Sequence, residues 1–352
     1  MPTVAAPTTP ARGRLEFLEG VRGIAALLVL VLHLIETLSP RVTFIHRVFD
    51  PGTAGVIAFF LVSGFVIPLS LERSHSLRQF WIGRVFRIFP LYLVVLAAGV
   101  AAAVATLAPY AVEGAARWPA RLGSHLVLLQ EPAGFPDLVP GSWTLLVEFV
   151  FYGAIALAYG LGWLRRTTPL VLVGAAGLAG LALAAIALDR RLPLGRPCLL
   201  TFGLLGLAFL RHWQGQLTTR RLVLLGVVVV AAGSLAYWQN FGLHHHKMFA
   251  FACVELSFLL ALALFVAAYA VRATSWMTGS RVATFIGSLT YSVYLVHPLV
   301  LAIYAHYSRS PLGYVIVPAA SLVVASATYR WVERPGMALG RRLAGRQPDA
   351  RA

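Results

Sequence analysis

The chain has 352 residues, 59% of them hydrophobic and only 12% charged, with a formal charge of +16 and a mean hydropathy of +0.78. Soluble domains carry about a quarter charged residues, so this composition excludes an ordinary water-soluble enzyme. It also excludes a nucleic-acid-binding module, since no basic region stands apart from the apolar runs.

Apolar runs recur from one end to the other. A helix rising 1.5 Å per residue needs about 20 mostly apolar residues to cross a hydrocarbon core of about 30 Å. Spans are predicted near 20–38, 54–71, 86–109, 142–163, 169–188, 194–211, 221–238, 248–271, 282–305 and 312–332. The expected fold is therefore all-α, a polytopic membrane bundle of about ten transmembrane helices. A leader, 1–19, precedes the transmembrane domain, 20–334, and a short basic tail, 335–352, follows it. The sixth span is the weakest, because it opens on Gly195, Arg196 and Pro197. Between Tyr110 and Gly141 the apolar core, Leu122 to Leu129, is too short to cross, and an interfacial or re-entrant lid is expected there. The first apolar run lacks a small-residue cleavage site and reads as a retained span.

Arginine and lysine in the connections set orientation. With the N-terminus inside, 17 of the 29 basic residues fall in cytoplasmic segments and 9 on the opposite side. Both termini are thus expected in the cytoplasm, although Arg190, Arg191 and Arg196 then sit outside, against the trend. The basic face would meet anionic lipid. A single lysine against 28 arginines suggests a GC-rich bacterial genome and a place in the bacterial cell membrane. Cys198 and Cys253 fall within spans and imply no disulfide framework. The His244-His245-His246 run has no carboxylate or thiol beside it, so hydrated loop histidines are expected rather than a metal site.

Titratable groups inside a span cost several kcal/mol and mark function by default. Four of them, His33, Glu148, Glu255 and His297, lie roughly five to eight residues below the outer ends of four different spans. A shared polar cavity in the outer half of the bundle is expected. Arg22 precedes His33 by eleven residues, about 16 Å and about three turns, so both project from one helix face. At the cytoplasmic level of Arg22 lie Arg84, Arg87 and Pro90, where the third span begins.

These residues resemble a known family. The spacing from Arg22 to His33, Phe59 to Phe65 with Ser63 and Gly64, and Arg84 to Pro90 are similar to motifs of the acyltransferase family 3 membrane proteins. Ser142-Trp143-Thr144-Leu145 through Glu148 to Tyr152, Ser288 to His297, and Glu333-Arg334-Pro335 follow in the family's order. Thr290 stands where a serine is usual, and Phe149 where a second acid is common. The resemblance covers essentially the whole chain and includes O-antigen acetylases and macrolide acyltransferases.

It implies transfer of an acyl group, commonly acetyl, from acyl-CoA to a hydroxyl, with acyl-CoA as donor substrate and no permanently bound cofactor. Arg22, Arg84 and Arg87 suit the donor's phosphates, because a planar guanidinium matches phosphate oxygens, though the latter two also serve as positive-inside anchors. His33 is the expected general base, a role worth about 10²–10⁴-fold in rate. Glu148 is its expected partner, with Glu36 one turn away as an alternative. Ser63, Trp143, Tyr152 and His297 would shape the acceptor pocket or donate to the thioester oxygen, and Glu255 is a further substrate-side candidate without a family motif. The acceptor would be a cell-surface glycan, a lipid-linked sugar or a secondary metabolite. A transporter or flippase using buried His and Glu as a proton relay is the alternative, and an acyl-CoA-binding regulator a third reading. Only an acyltransferase would release free CoA thiol while passing on the acyl group.

Overall fold

The computed structural model describes residues 15–105, 117–243, 249–271 and 281–345. The leader before residue 15, the start of the expected lid, the His244–His246 run and the tail beyond 345 lie outside these residues.

The described residues form helices and no strand. In order the α-helices are α1 (Glu16–Leu38), α2 (Phe44–Arg47), α3 (Pro51–Ser74), α4 (Leu77–Val104), α5 (Trp118–Leu126), α6 (Trp143–Gly160), α7 (Thr167–Ala187), α8 (Gly195–Trp213), α9 (Thr219–Tyr237), α10 (Phe251–Ala270), α11 (Arg281–Tyr307), α12 (Gly313–Thr328) and α13 (Arg334–Leu343), with π-helical turns at Trp238–Leu243 after α9 and at Tyr329–Glu333 joining α12 to α13. Nine helices among the described residues are long and apolar enough to cross a membrane, so the chain is a multi-pass membrane protein. The expected sixth span, α8, falls short of that measure of apolarity. It is nevertheless 19 residues long, enough for about 28 Å, and packs on α7, α9 and α3.

Helix α3 is the axis of the bundle. It packs against α1, α8 and α10, and 78% of its most apolar window is buried. Asp50 starts it, accepting from the Gly52 and Thr53 amides at 2.8 and 3.2 Å, ahead of Pro51 at a position that needs no amide donor. Burial pushes the Asp50 carboxyl above its usual range. Where α3 crosses α8, backbone meets backbone. A Cβ on Gly64 would lie 1.8 Å from the Gly203 carbonyl oxygen, and one on Gly206 would lie 2.2 Å from that of Leu61. Small residues let membrane helices approach this closely and gain dispersion contacts.

The charge that weakens α8 in hydropathy is neutralised inside the fold. Arg211, 2% exposed, forks onto Glu72 of α3 at 3.0 and 2.5 Å and donates to the Leu164 carbonyl at 3.2 Å. It is therefore a buried structural ion pair rather than an exposed basic anchor.

The segment before α6 does not cross the bundle. Helix α5 lies on α4, with the Tyr92 hydroxyl donating to the His125 carbonyl at 3.0 Å. The Leu138 amide donates to His125 Nε2 at 3.2 Å. Burial of that ring lowers its pKa to about 4. Gln130 ties Asp137 to Ser142 at 3.0 and 2.8 Å, and burial raises the Asp137 carboxyl. At the other end of the chain, α13 packs on α4, its Gly336 and Gly340 set against Pro90 and Phe86. The first part of the expected tail is thus a docked helix.

Candidate active site

Two chambers adjoin inside the bundle. The first, about 260 Å³, is lined by Arg22 of α1, Ser63 of α3, Arg84 and Arg87 of α4, and Glu148 and Tyr152 of α6. The second, about 740 Å³, is lined by His33 of α1, Trp143 of α6, Arg191 between α7 and α8, and Arg196 of α8. Glu131, Asp137 and Gly141 of the segment before α6 also border the second chamber. We call them the arginine chamber and the histidine chamber.

Arg22 and His33 thus open from one side of α1 into different chambers, as their eleven-residue spacing requires. In the arginine chamber Arg22 faces Glu19 at 3.4 Å. Arg84 donates to Ser70 at 2.9 Å and lies over the rings of Phe80 and Tyr152. Its Nε is buried with no hydrogen-bond partner among the described residues. Arg87 contacts Met337 of α13 at 3.3 Å and lies within electrostatic reach of Glu333. Glu333 accepts from Ser292 at 2.8 Å, which ties the C-terminal motif to α11.

The expected partnership of His33 with Glu148 is not formed. Glu148 lines the arginine chamber and accepts from the Tyr152 hydroxyl, one turn along α6. Glu36 lies within electrostatic reach of His46 and Asp50. His33 Nδ1 lies 2.9 Å from Nε2 of His297 on α11, with the rings stacked at 20°. His297 is 1% exposed and lines neither chamber. Its Nδ1 is 2.8 Å from the Val293 carbonyl.

A carbonyl only accepts, so Nδ1 of His297 carries the proton and, in the neutral ring, Nε2 is an acceptor. His33 must then donate through Nδ1, which leaves its Nε2 lone pair unprotonated at the histidine chamber. A carboxylate is not needed to fix this tautomer; a second histidine does it.

The remaining candidates divide between the chambers. Ser63 and Tyr152, expected in an acceptor pocket, line the arginine chamber, whereas Trp143 lines the histidine chamber. Glu255 lines neither and accepts from Ser234 of α9 at 2.5 Å. The four titratable groups expected in one cavity are therefore two paired histidines and two carboxylates elsewhere. Cys198 and Cys253 are free and buried. No metal-ligating cluster occurs among the described residues.

Arg191, Arg196 and Tyr294 are chamber residues that the sequence did not assign to the site, although Tyr294 stands in the Ser288–His297 motif. The arginines broke the orientation trend, which was their only signal. Arg196 pairs with Glu131 and lies over the Trp143 ring, its carbon 5.8 Å from the centroid. Arg191 donates to Asn240 at 2.6 Å. Both now have a reason to be where they are, as walls of a polar chamber.

The model of the Acyl_transf_3 family, an acyltransferase domain, matches residues 15–330. The chain belongs to this family. Two relatives place it further. The acyltransferase MdmB of Streptomyces mycarofaciens is 35% identical over 157 residues, 42% of this chain and 40% of that protein. The exopolysaccharide production protein ExoZ of Rhizobium meliloti (strain 1021) is 27% identical over 305 residues, 83% of this chain and 92% of that protein. The aligned stretch thus spans less than half of MdmB but nearly all of ExoZ. No solved structure matches. The family match runs through every helix from α1 to α12 and contains Arg22, His33, Arg84, Arg87, Glu148, Tyr294 and His297.

Proposed function

We propose that the protein is a membrane O-acyltransferase that moves an acyl group, acetyl in the simplest case, from cytosolic acyl-CoA to a hydroxyl acceptor. The arginine chamber receives the donor from the cytoplasmic face, and the histidine chamber receives the acceptor from the other. One observation carries the reading: Arg22 and His33, on a single helix face, open into two adjoining chambers.

Arg22, Arg84 and Arg87 bind the donor's phosphates, for which the fork of guanidinium donors is suited. Glu148, together with Tyr152, acts on this donor side by holding the Arg84 region in place. The thioester arm runs along α1 toward His33. There Nε2 of His33 takes the proton from the acceptor hydroxyl as its oxygen bonds to the acyl carbon. The carbon–sulfur bond breaks, and the thiolate takes that proton back from the imidazolium to leave as free CoA thiol. No net proton is gained or lost.

Trp143 and the polar walls of the larger chamber suit a sugar hydroxyl, and the name of the ExoZ relative supports a glycan or lipid-linked sugar over a small metabolite. Membership of an acyltransferase family favours this reading over a transporter. The bacterial sources of both relatives support a bacterial cell membrane.

The test is transfer of label from acetyl-labelled acetyl-CoA into the lipid, glycan and small-molecule fractions of inverted membrane vesicles. The wild type is expected to label one fraction, and His33→Ala to lose about 10²–10⁴-fold of the rate while remaining inserted. Near-normal transfer by His33→Ala would remove His33 as the base. Failure of the wild type across acyl lengths and supplied acceptors would return weight to the transporter reading.

A further inference from the structure

The two chambers meet at a thin place. Val56 and Tyr294 are the residues that line both. Val56 offers a short branched side chain, whereas Tyr294 sets a whole ring across the junction. Tyr294 is 9% exposed and its ring is held on several sides. Its hydroxyl lies 2.9 Å from Thr144 Oγ1 and donates to the Gly141 carbonyl at 3.2 Å. Phe59 packs edge-on against it at 5.9 Å, and the His297 ring at 6.2 Å. Gly141 has a φ of 83°, and a Cβ there would lie 3.1 Å from the Tyr294 hydroxyl. The turn therefore accepts the hydroxyl because it is glycine.

We propose that Tyr294 is a partition between the donor and acceptor chambers, latched by Thr144 and Gly141, which makes the enzyme a transferase rather than a thioesterase. Resting on the acyltransferase reading above, the reason is chemical. A base poised at His33 activates any hydroxyl beside it, and water is the most abundant. Attack by water would bond its oxygen to the acyl carbon, break the carbon–sulfur bond and send the proton to the thiolate, giving a free carboxylic acid. Keeping the thioester apart from water beside His33 until an acceptor fills the larger chamber suppresses that side reaction. The hydroxyl latch ties the partition to Gly141, which itself borders the acceptor chamber. Tyr294 is thus a positioning residue, acting on access and not on the reacting atoms.

The partition can be read without any turnover. Ser63→Cys places a thiol in the arginine chamber, and Arg191→Cys places one in the exposed part of the histidine chamber. The probe is the membrane-impermeant reagent 2-(trimethylammonium)ethyl methanethiosulfonate, added from the face at which Arg191→Cys reacts. Native Cys198 and Cys253, both buried, report an intact fold by remaining unlabelled.

With Tyr294 present, Ser63→Cys is expected to react slowly. Tyr294→Ala should speed it by about tenfold or more, as expected when a closed path becomes open, while Tyr294→Phe should keep it slow because the ring remains. Rapid labelling of Ser63→Cys behind an intact Tyr294 would overturn the proposal. So would unchanged labelling in Tyr294→Ala with Cys198 and Cys253 still protected. If Tyr294→Ala exposes those cysteines, Tyr294→Leu and Val56→Ala decide the matter by the same criterion.

A second readout links the partition to chemistry. Release of CoA thiol from acetyl-CoA without acceptor should rise several-fold relative to transfer in Tyr294→Ala. A lack of such a rise, in protein that labels Ser63→Cys rapidly, would overturn its role against hydrolysis. A wild type that transfers no acetyl group would undo the acyltransferase reading alone and leave the labelling result standing.

Discussion

In the proposed mechanism His33 works as a base only while its lone pair faces the substrate, and that depends on the nitrogen turned away from the chamber. That nitrogen meets His297 at 2.9 Å, and His297 in turn is fixed by the Val293 carbonyl one turn behind it. The helix backbone therefore sets the protonation pattern of both rings. Replacing His297 with leucine removes the acceptor, so His33 is free to adopt the wrong tautomer. The expected result is a fall in kcat of at least ~10²-fold with little change in KM, by the logic of a base that loses its orienting partner. His297→Gln should recover part of the rate, since its amide oxygen can accept. A matched fall in KM and kcat, or no rescue by glutamine, would assign His297 a structural role. Spacing on α1 made Arg22 and His33 legible from sequence. The partner of His33 was not legible, because it is separated by 264 residues, and four titratable groups at similar depth offered several pairings. Depth counts residues along a helix but not the direction in which the side chain points.

Helix α8 shows the same limit one level up. Its Arg196 and Arg211 lower its apparent apolarity, and the compensation lies on other elements: Glu131 before α6 and Glu72 on α3. Of the two, only the Arg211–Glu72 pair has a buried member, Arg211, and breaking a buried pair costs about 3–5 kcal/mol when one partner is removed; the Arg196–Glu131 pair is exposed. What joins α8 to α3 more directly is the glycine contact. Gly64→Ala would set a methyl group 1.8 Å from the Gly203 carbonyl oxygen, and overpacking costs about 1–3 kcal/mol even where neighbours yield. Thermal unfolding in detergent should therefore occur at lower temperature. Gly226→Ala, on α9 with no neighbour within 4 Å of the added carbon, should be neutral or stabilising by up to about 1 kcal/mol. Equal behaviour of the two variants would mean that the α3–α8 crossing is looser than its backbone contact implies. The glycine within the Phe59–Phe65 motif was visible in the sequence as part of a resemblance. Its reason, a backbone crossing, required the fold.

Across the whole molecule, the all-helical, membrane-spanning character followed from composition and run length alone, because the bilayer imposes it; of the ten spans expected, nine are apolar enough among the described residues and α8 is not. The internal division into two chambers did not, since their walls come from seven or more separate segments of chain. Under the proposed function that division gives transfer a direction, with the acyl group entering at the arginine chamber on one face and delivered at the histidine chamber on the other. The most direct measurement supplies acetyl-labelled acetyl-CoA outside sealed inverted vesicles and then adds an acetyl esterase outside, with and without detergent. Labelled ester that resists the esterase until detergent opens the vesicles is the expected result, because the product forms at the opposite face. Labelled ester removed equally well from sealed vesicles would contradict transfer across the bundle and place both substrates on the same side.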